Sequence, residues 1–360
     1  MNRPFVLCSV LVAVCLAACS QVLAGSAAAG SSGVACSDRL SPGDFVRRVP
    51  GWPNRAYLLH IPTTYDCHVP APVVLALHGG GSNKQVMRAL TCPNGDPNNP
   101  SCLDNLADRE GFIVVYPDGT GFSTRRTFNA TSRAAGAQSE ALSAYACVSG
   151  LACETGVDDI SYFNDLLDDL GRVVNVDERR VFATGISNGA AMAHRLGCEL
   201  SDRIAAIAPV AGGNQFSVFH DCAPGRGVPV VMFHGTADQA WGFGTMTSDQ
   251  DLNGQGIVIS VPRTVAGWVA RNGCSPTMIT ERLPDRDTTD RSTVTLVRFT
   301  GCLDGADVEL YRFDGGGHMW PDGYRWGTLF GRYGPTNRDL NGNEVMWDFF
   351  RAHALGGSGR

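Results

Sequence analysis

The stretch Arg180-Val181-Phe182-Ala183-Thr184-Gly185-Ile186-Ser187-Asn188-Gly189-Ala190-Ala191-Met192-Ala193 sets a G-x-S-x-G pattern between an apolar run and a helix-forming run. A serine on a sharp strand-to-helix turn needs small neighbours, because the backbone is strained there and the hydroxyl must project. In a chain with 43 glycines the spacing alone is weak. Its setting gives it weight: Arg180 to Thr184 reads as the end of a buried strand, and Ala190 to Ala193 as the opening of a helix. Ser187 is therefore the candidate nucleophile.

A serine hydroxyl attacks only when a base takes its proton and a carboxylate holds that base in the right tautomer. On a strand-to-helix elbow of this kind the order along the chain is serine, acid, histidine. Beyond the helix that follows the motif stand His220, His234, His318 and His353. His353 falls in a C-terminal helical run, and His220 precedes any strand that could present an acid after it. His318 follows the apolar run Val308 to Phe313 through Asp314-Gly315-Gly316-Gly317, a flexible turn at a strand end, and is the candidate base. Asp238 lies five residues past the run Val230 to Phe233 and is the candidate acid; Asp221, Asp249, Asp251 and Asp304 sit in polar loops without so strong a preceding strand. His234, between that strand and Asp238, reads as structural. Acyl transfer also needs donors for a developing oxyanion. His78-Gly79-Gly80-Gly81, after the run Val73 to Leu77, offers the backbone N–H groups of Gly80 and Gly81, and Asn188 offers its own.

Around these sites, short apolar runs alternate with amphipathic stretches. Val73 to Leu77, Phe112 to Tyr116, Val181 to Thr184, Ile204 to Val210, Val230 to Phe233 and Val308 to Phe313 have strand length, and their unbroken hydrophobicity fits parallel strands covered on both faces. Ile160 to Val174, Ala190 to Glu199, Pro262 to Arg271 and Glu344 to His353 have helix length. The alternation predicts one mostly parallel α/β sheet with helices on both faces. Thr91 to Cys102, Phe122 to Cys153 and Trp241 to Val261 are long irregular segments of the kind that usually serve function.

The 360 residues are 44% hydrophobic and 18% charged, a composition that buries a large core. The formal charge is −6 and no dense Lys/Arg run occurs, which argues against nucleic acid as a partner. Residues 1–24 read as an export signal, with Arg3 ahead of an apolar run from Phe5 to Ala18 that is too short to span a bilayer. Leu16-Ala17-Ala18-Cys19 resembles a lipobox, and cleavage after Val22-Leu23-Ala24 competes with it; membrane attachment is expected only through a lipid on Cys19. Residues 25–35 read as a flexible tether and 36–360 as a single domain.

Of thirteen cysteines, Cys8, Cys15 and Cys19 lie in the leader and ten remain, an even number suited to an oxidising compartment. With no C-x-x-C pair among the ten, disulfides are favoured over zinc, and no metal is expected. Pairing neighbours suggests Cys36 with Cys67, Cys92 with Cys102, Cys147 with Cys153, Cys198 with Cys222 and Cys274 with Cys302.

Taken in order, several motifs resemble the polyhydroxybutyrate depolymerase and feruloyl esterase group, secreted esterases and lipoproteins of the carbohydrate esterase family 1 type. They are Arg55-x-Tyr57-x-Leu59, Leu77-His78-Gly79-Gly80-Gly81, Tyr116-Pro117-Asp118-Gly119, Val157-Asp158-Asp159, Thr184 to Ala193, Ile207-Ala208-Pro209-Val210-Ala211-Gly212, His234-Gly235-Thr236-Ala237-Asp238 and Gly315-Gly316-Gly317-His318-Met319-Trp320-Pro321. The resemblance covers nearly all of the chain after the leader. It implies an α/β-hydrolase fold and a serine esterase needing no cofactor, with Ser187, Asp238 and His318 on the family's triad positions. The implied partner is an ester substrate, either a polyester or an ester-substituted plant polysaccharide. Trp320 is a candidate for lining an acyl or aromatic pocket, with core packing as its other reading. Asp158 and Asp159, at a helix start, read as capping and dipole-complementing residues. The family segment that often carries Trp-Asn reads here Arg126-Thr127-Phe128-Asn129, and the longer insertion to Cys153 is expected to reshape the substrate mouth. A peptidase of the prolyl-oligopeptidase type and a non-catalytic polymer- or glycan-binding lipoprotein are the rival readings.

Overall fold

The computed structural model describes residues 34–123, 125–131, 151–251, 256–324 and 333–356. The expected leader, most of the tether, and Cys147 lie outside them. The six apolar runs become six adjacent parallel strands, in chain order β3 (Ala71–Leu77), β4 (Ile113–Pro117), β7 (Val176–Ile186), β8 (Ala206–Val210), β9 (Val230–Gly235) and β14 (Val308–Asp314). Their spatial order is β4-β3-β7-β8-β9-β14. Four antiparallel strands extend the sheet. On one side β2 (Ala56–Ile61) pairs with β4 and β1 (Gly43–Arg48) with β2; on the other β13 (Thr293–Phe299) pairs with β14 and β12 (Met278–Arg282) with β13. Two small hairpins stand apart: β5 (Thr120–Phe122) with β6 (Arg125–Thr127), and β10 (Gln250–Asp251) with β11 (Ile257–Val258).

Because side chains alternate across a strand, β3 feeds two cores. Val73, Leu75 and Leu77 point into one, and Val74 and Ala76 into the other. The first core is roofed by α4 (Asp159–Val173), α5 (Asn188–Glu199) and α7 (Val261–Arg271), through Phe163, Leu166, Met192, Leu196 and Trp268. The second is roofed by α1 (Lys84–Leu90), α2 (Leu103–Glu110) and α8 (Gly342–Arg351), through Met87, Leu106, Met346, Trp347 and Phe350. Two one-turn helices, α3 (Leu151–Glu154) and α6 (Phe216–Phe219), lie in the connections. Each buried Leu or Phe side chain stabilises this arrangement by roughly 1.5–3 kcal/mol relative to exposure.

The helices start where their caps are. Asp158 accepts the Ser161 amide ahead of α4, and Ser260 accepts the Arg263 amide ahead of α7, where Pro262 occupies the first turn. In α4 the buried positions Tyr162, Phe163, Leu166, Leu167 and Leu170 repeat every three or four residues, so one stripe faces the sheet. Four disulfides join Cys36 to Cys67, Cys92 to Cys102, Cys198 to Cys222 and Cys274 to Cys302, as neighbour pairing suggested. Cys153 is also disulfide-bonded, and Cys147, its expected partner, lies outside the described residues. Residues Cys36–Arg360 form one compact unit.

Candidate active site

All six parallel strands deliver their C-terminal ends to one edge of the sheet, and the candidate residues gather there. Ser187 follows β7 with φ 58° and ψ −118°, the left-handed conformation of a sharp turn. Packing explains the flanking glycines. A Cβ on Gly189 would come 2.3 Å from the Leu77 carbonyl oxygen, and one on Gly185 would come 2.7 Å from the backbone of Gly189. The turn is pinned by the Ser187 amide donating to Val210 and by the Ala191 amide donating to Ser187, which opens α5.

Asp238 and His318 meet across the ends of β9 and β14. His318 Nδ1 lies 2.7 Å from Asp238 Oδ2. A carboxylate only accepts, so Nδ1 carries the proton and Nε2 keeps its lone pair. The other carboxylate oxygen, Oδ1, accepts the amides of Ala240 (2.8 Å) and Trp241 (2.7 Å). Burial by itself would raise the Asp238 pKa, but the imidazoles of His318 and His234 hold it well below the usual carboxylate range. The histidine loop is fastened in turn: Gly317 donates its amide to Pro335 (2.9 Å) and His318 donates to Tyr333 (2.6 Å). A Cβ on Gly317 would stand 2.0 Å from the Tyr333 carbonyl oxygen, so only glycine admits this approach. The ring of Tyr333 stacks near His318, with centroids 5.8 Å apart.

The loop His78 to Gly81 lies against the elbow, where a Cβ on Gly79 would meet Cβ of Ser187 at 3.5 Å. His78 is wholly buried. Its Nε2 accepts the Gly119 amide (2.9 Å), its Nδ1 reaches the Gly79 carbonyl (2.8 Å), and burial lowers its pKa to about 4, so a neutral ring shapes the loop. Gly80 is exposed. Gly81 is a correction to the expected donor set: its amide donates to the Arg126 carbonyl at 3.0 Å, which leaves no N–H for an oxyanion. Asn188 opens α5, directly after Ser187.

Trp320 is a second correction. It is fully buried in the core beneath α8, with Nε1 donating to Asn343 Oδ1 at 2.9 Å, and it packs rather than lines a mouth. Asp158 caps α4 as expected, but Asp159 does more than complement a dipole. Wholly buried, it pairs with Arg55 at 2.5 Å and accepts the Asn129 amide at 2.6 Å. Arg55 also donates to the Asp118 carbonyl and lies over the ring of Tyr162, 3.3 Å from its centroid. The residues Arg55, Asp118 and Asp159 thus form a buried framework beside the elbow. His353, just past the end of α8, bonds the Phe349 carbonyl of that helix, and His220 stacks on Phe216, so neither is engaged with the acid. Asp249 accepts the Ser260 amide and pairs with Arg263.

One role escaped the sequence. The buried side chain of Asn188 makes a two-point bond to the backbone of Phe128, accepting its amide at 2.7 Å and donating to its carbonyl at 2.9 Å. The partner is 60 residues away in an irregular run, and no periodic signal marks it.

Two groups of residues among those described are close enough to share a metal ion: Cys36, Cys67 and His68, and Asp44, His60 and Asp104. The thiols of the first are consumed in a disulfide, and in the second Arg88 bonds both carboxylates.

No family model matches the chain. It is 29% identical over 174 residues to feruloyl esterase B of Piromyces equi, covering 48% of this chain and 31% of that protein. It is 29% identical over 177 residues to a bifunctional acetylxylan esterase/xylanase of Neocallimastix patriciarum, covering 48% of this chain and 21% of that protein. The chain therefore spans a third or less of the length of these two relatives. Feruloyl esterase D of Neurospora crassa is 26% identical over 339 residues, covering 92% of this chain and 93% of that protein. A parallel sheet covered on both faces, with a serine elbow after one strand and an acid and a histidine after two others, is the α/β-hydrolase fold, and in sequence the chain is similar to feruloyl and acetylxylan esterases.

Proposed function

We propose that the chain is an exported carboxylic ester hydrolase in which Ser187 is the nucleophile, His318 the general base and Asp238 the acid that orients it. The observation that carries this reading is the bond from His318 Nδ1 to Asp238 at the sheet edge where the Ser187 elbow also ends. With Nδ1 so engaged, Nε2 is the nitrogen that takes the Ser187 proton as the hydroxyl attacks the ester carbonyl. The amides of Gly80 and Asn188 hold the oxyanion, His318 returns the proton to the departing alcohol, and water drawn in by the same base releases the acyl group. The family resemblance and the named activities of the relatives support feruloyl or acetyl esters on plant polysaccharide as the substrate class. The disulfides suit an oxidising compartment outside the cytosol.

The test is a comparison of kcat/KM for methyl ferulate, acetylated xylan, short p-nitrophenyl esters and polyhydroxybutyrate film, in the wild type and in Ser187→Ala. The wild type is expected to prefer the feruloyl or acetyl substrates, and the variant to lose on the order of 10³ or more in turnover while keeping its fold. An organophosphonate should label Ser187 stoichiometrically. Ester hydrolysis persisting at the wild-type rate in Ser187→Ala removes the assignment.

A further inference from the structure

His234 is the last-but-one residue of β9, fully buried, with Arg312 of β14 as its register partner in the sheet. Its Nε2 lies 2.8 Å from the Trp241 carbonyl oxygen and 3.3 Å from Asp238 Oδ2, the oxygen that receives His318. Both neighbours are acceptors, so Nε2 carries the ring proton. Nδ1 is buried without a hydrogen-bond partner among the described residues. A buried ring nitrogen left unpaired costs stability, and an apolar ring beside Phe243, 6.0 Å away centroid to centroid, would avoid that cost. What only a histidine or an amide supplies at this place is the N–H.

We propose that His234 is a positioning residue for the reaction described above, its Nε2–H clamping the Trp241 carbonyl and the Oδ2 of Asp238 so that the carboxylate keeps the angle at which it holds His318. The inference rests on that reading of the triad. The clamp works from two sides. Trp241 N–H and Ala240 N–H grip Oδ1, and His234 ties down the carbonyl of the same Trp241 while touching Oδ2. The turn from His234 to Trp241 is thereby closed on itself around the acid. Beside Oδ2, the N–H also draws charge from the carboxylate and so tempers its stabilisation of the His318 imidazolium. The titratable and charged groups around His234 are Asp238 on its own loop, His318 from the loop after β14, Arg312, its register partner on β14, whose guanidinium bonds Asp314, and His194 from α5, which burial lowers to about 3 and keeps neutral.

The experiment compares wild type, His234→Phe, His234→Gln and Ser187→Ala on one soluble ester, reading kcat, KM and the acid limb of kcat/KM. His234→Phe is expected to lower kcat by about tenfold to a hundredfold with KM little changed, the scale of a lost hydrogen bond to a charged group. Its acid limb should move to higher pH, because Oδ2 without the donor holds the imidazolium more strongly. His234→Gln, whose amide can present an N–H in the same place, should recover most of kcat and return the limb. Where the Phe variant fails to fold, His234→Asn, too short to reach the Trp241 carbonyl, takes its place with the same expectations. Wild-type kcat and an unmoved limb in the variant without the N–H overturn the proposal, as does a Gln variant no better than Phe. Failure of the triad reading looks different, since Ser187→Ala would then remain active; failure of this inference alone leaves Ser187→Ala dead and His234→Phe unimpaired.

Discussion

His318 Nδ1 and Asp238 Oδ2 stand 2.7 Å apart although 80 residues separate them in the chain. Two neighbouring parallel strands, β9 and β14, make that meeting possible, because their ends lie at the same level of the sheet. The carboxylate is buried, held ionised by two imidazoles and gripped by two amides, so its place does not depend on solvent.

Asp238→Asn should therefore leave the fold intact and lower kcat on the order of 10³–10⁴-fold, because an amide that donates to Nδ1 stabilises the wrong tautomer of His318. Steady-state kinetics beside a far-ultraviolet circular dichroism spectrum measures both halves of the statement. A loss below about tenfold would show that the acid is not what orients the base.

The elbow glycines make a stability prediction with an internal control. Gly189→Ala forces a Cβ to 2.3 Å from the Leu77 carbonyl oxygen, and overpacking of this kind costs about 1–3 kcal/mol or more. Gly171→Ala adds a methyl in α4 with no atom within 4 Å and should stabilise by roughly 0.5–1 kcal/mol through helix propensity. Urea unfolding of both variants gives the two signs, and equal midpoints would contradict the packing account.

Acid sensitivity should begin well above the carboxylate range. His78 is lowered to about 4 and His194 to about 3 by burial, against about 6.5 in an unfolded chain. Between those limits the unfolded state binds protons that the folded state refuses, so stability falls as pH drops from about 6.5 toward 4. Each histidine contributes a slope of up to about 1.4 kcal/mol per pH unit. Unfolding free energies at pH 7, 6 and 5 test this; a flat series would mean that the two rings protonate without unfolding.

The parts of the fold legible in the sequence were those whose burial is uniform. Val73 to Leu77 and Val230 to Phe233 are covered on both faces, so they read as unbroken apolar runs, and the six such runs are the six parallel strands. The outermost antiparallel strands, β1 and β12, were not legible. β1 alternates half-exposed with exposed residues, and Met278 to Arg282 in β12 is exposed throughout, leaving little hydrophobic pattern to detect. Helices α1 and α2, of seven and eight residues, are too short for periodicity to separate them from the loop between them. At the site, Asp238 and His318 could be picked out because each follows a strong strand. Gly81 and Trp320 could not be judged, since whether an amide is already bonded or an indole is already packed depends on partners such as Arg126 and Asn343 that are distant in sequence. The same applies to Asn188, whose side chain spans 60 residues to reach Phe128.

The seam between Gly317-His318 and Tyr333-Gly334-Pro335 has a consequence for how this protein can diversify. Two backbone bonds clasp the chain where it leaves the imidazole and where it comes back. Side chains around that clasp can change from one descendant to the next without re-aiming the ring, because its position is set by main-chain bonds and not by its surroundings.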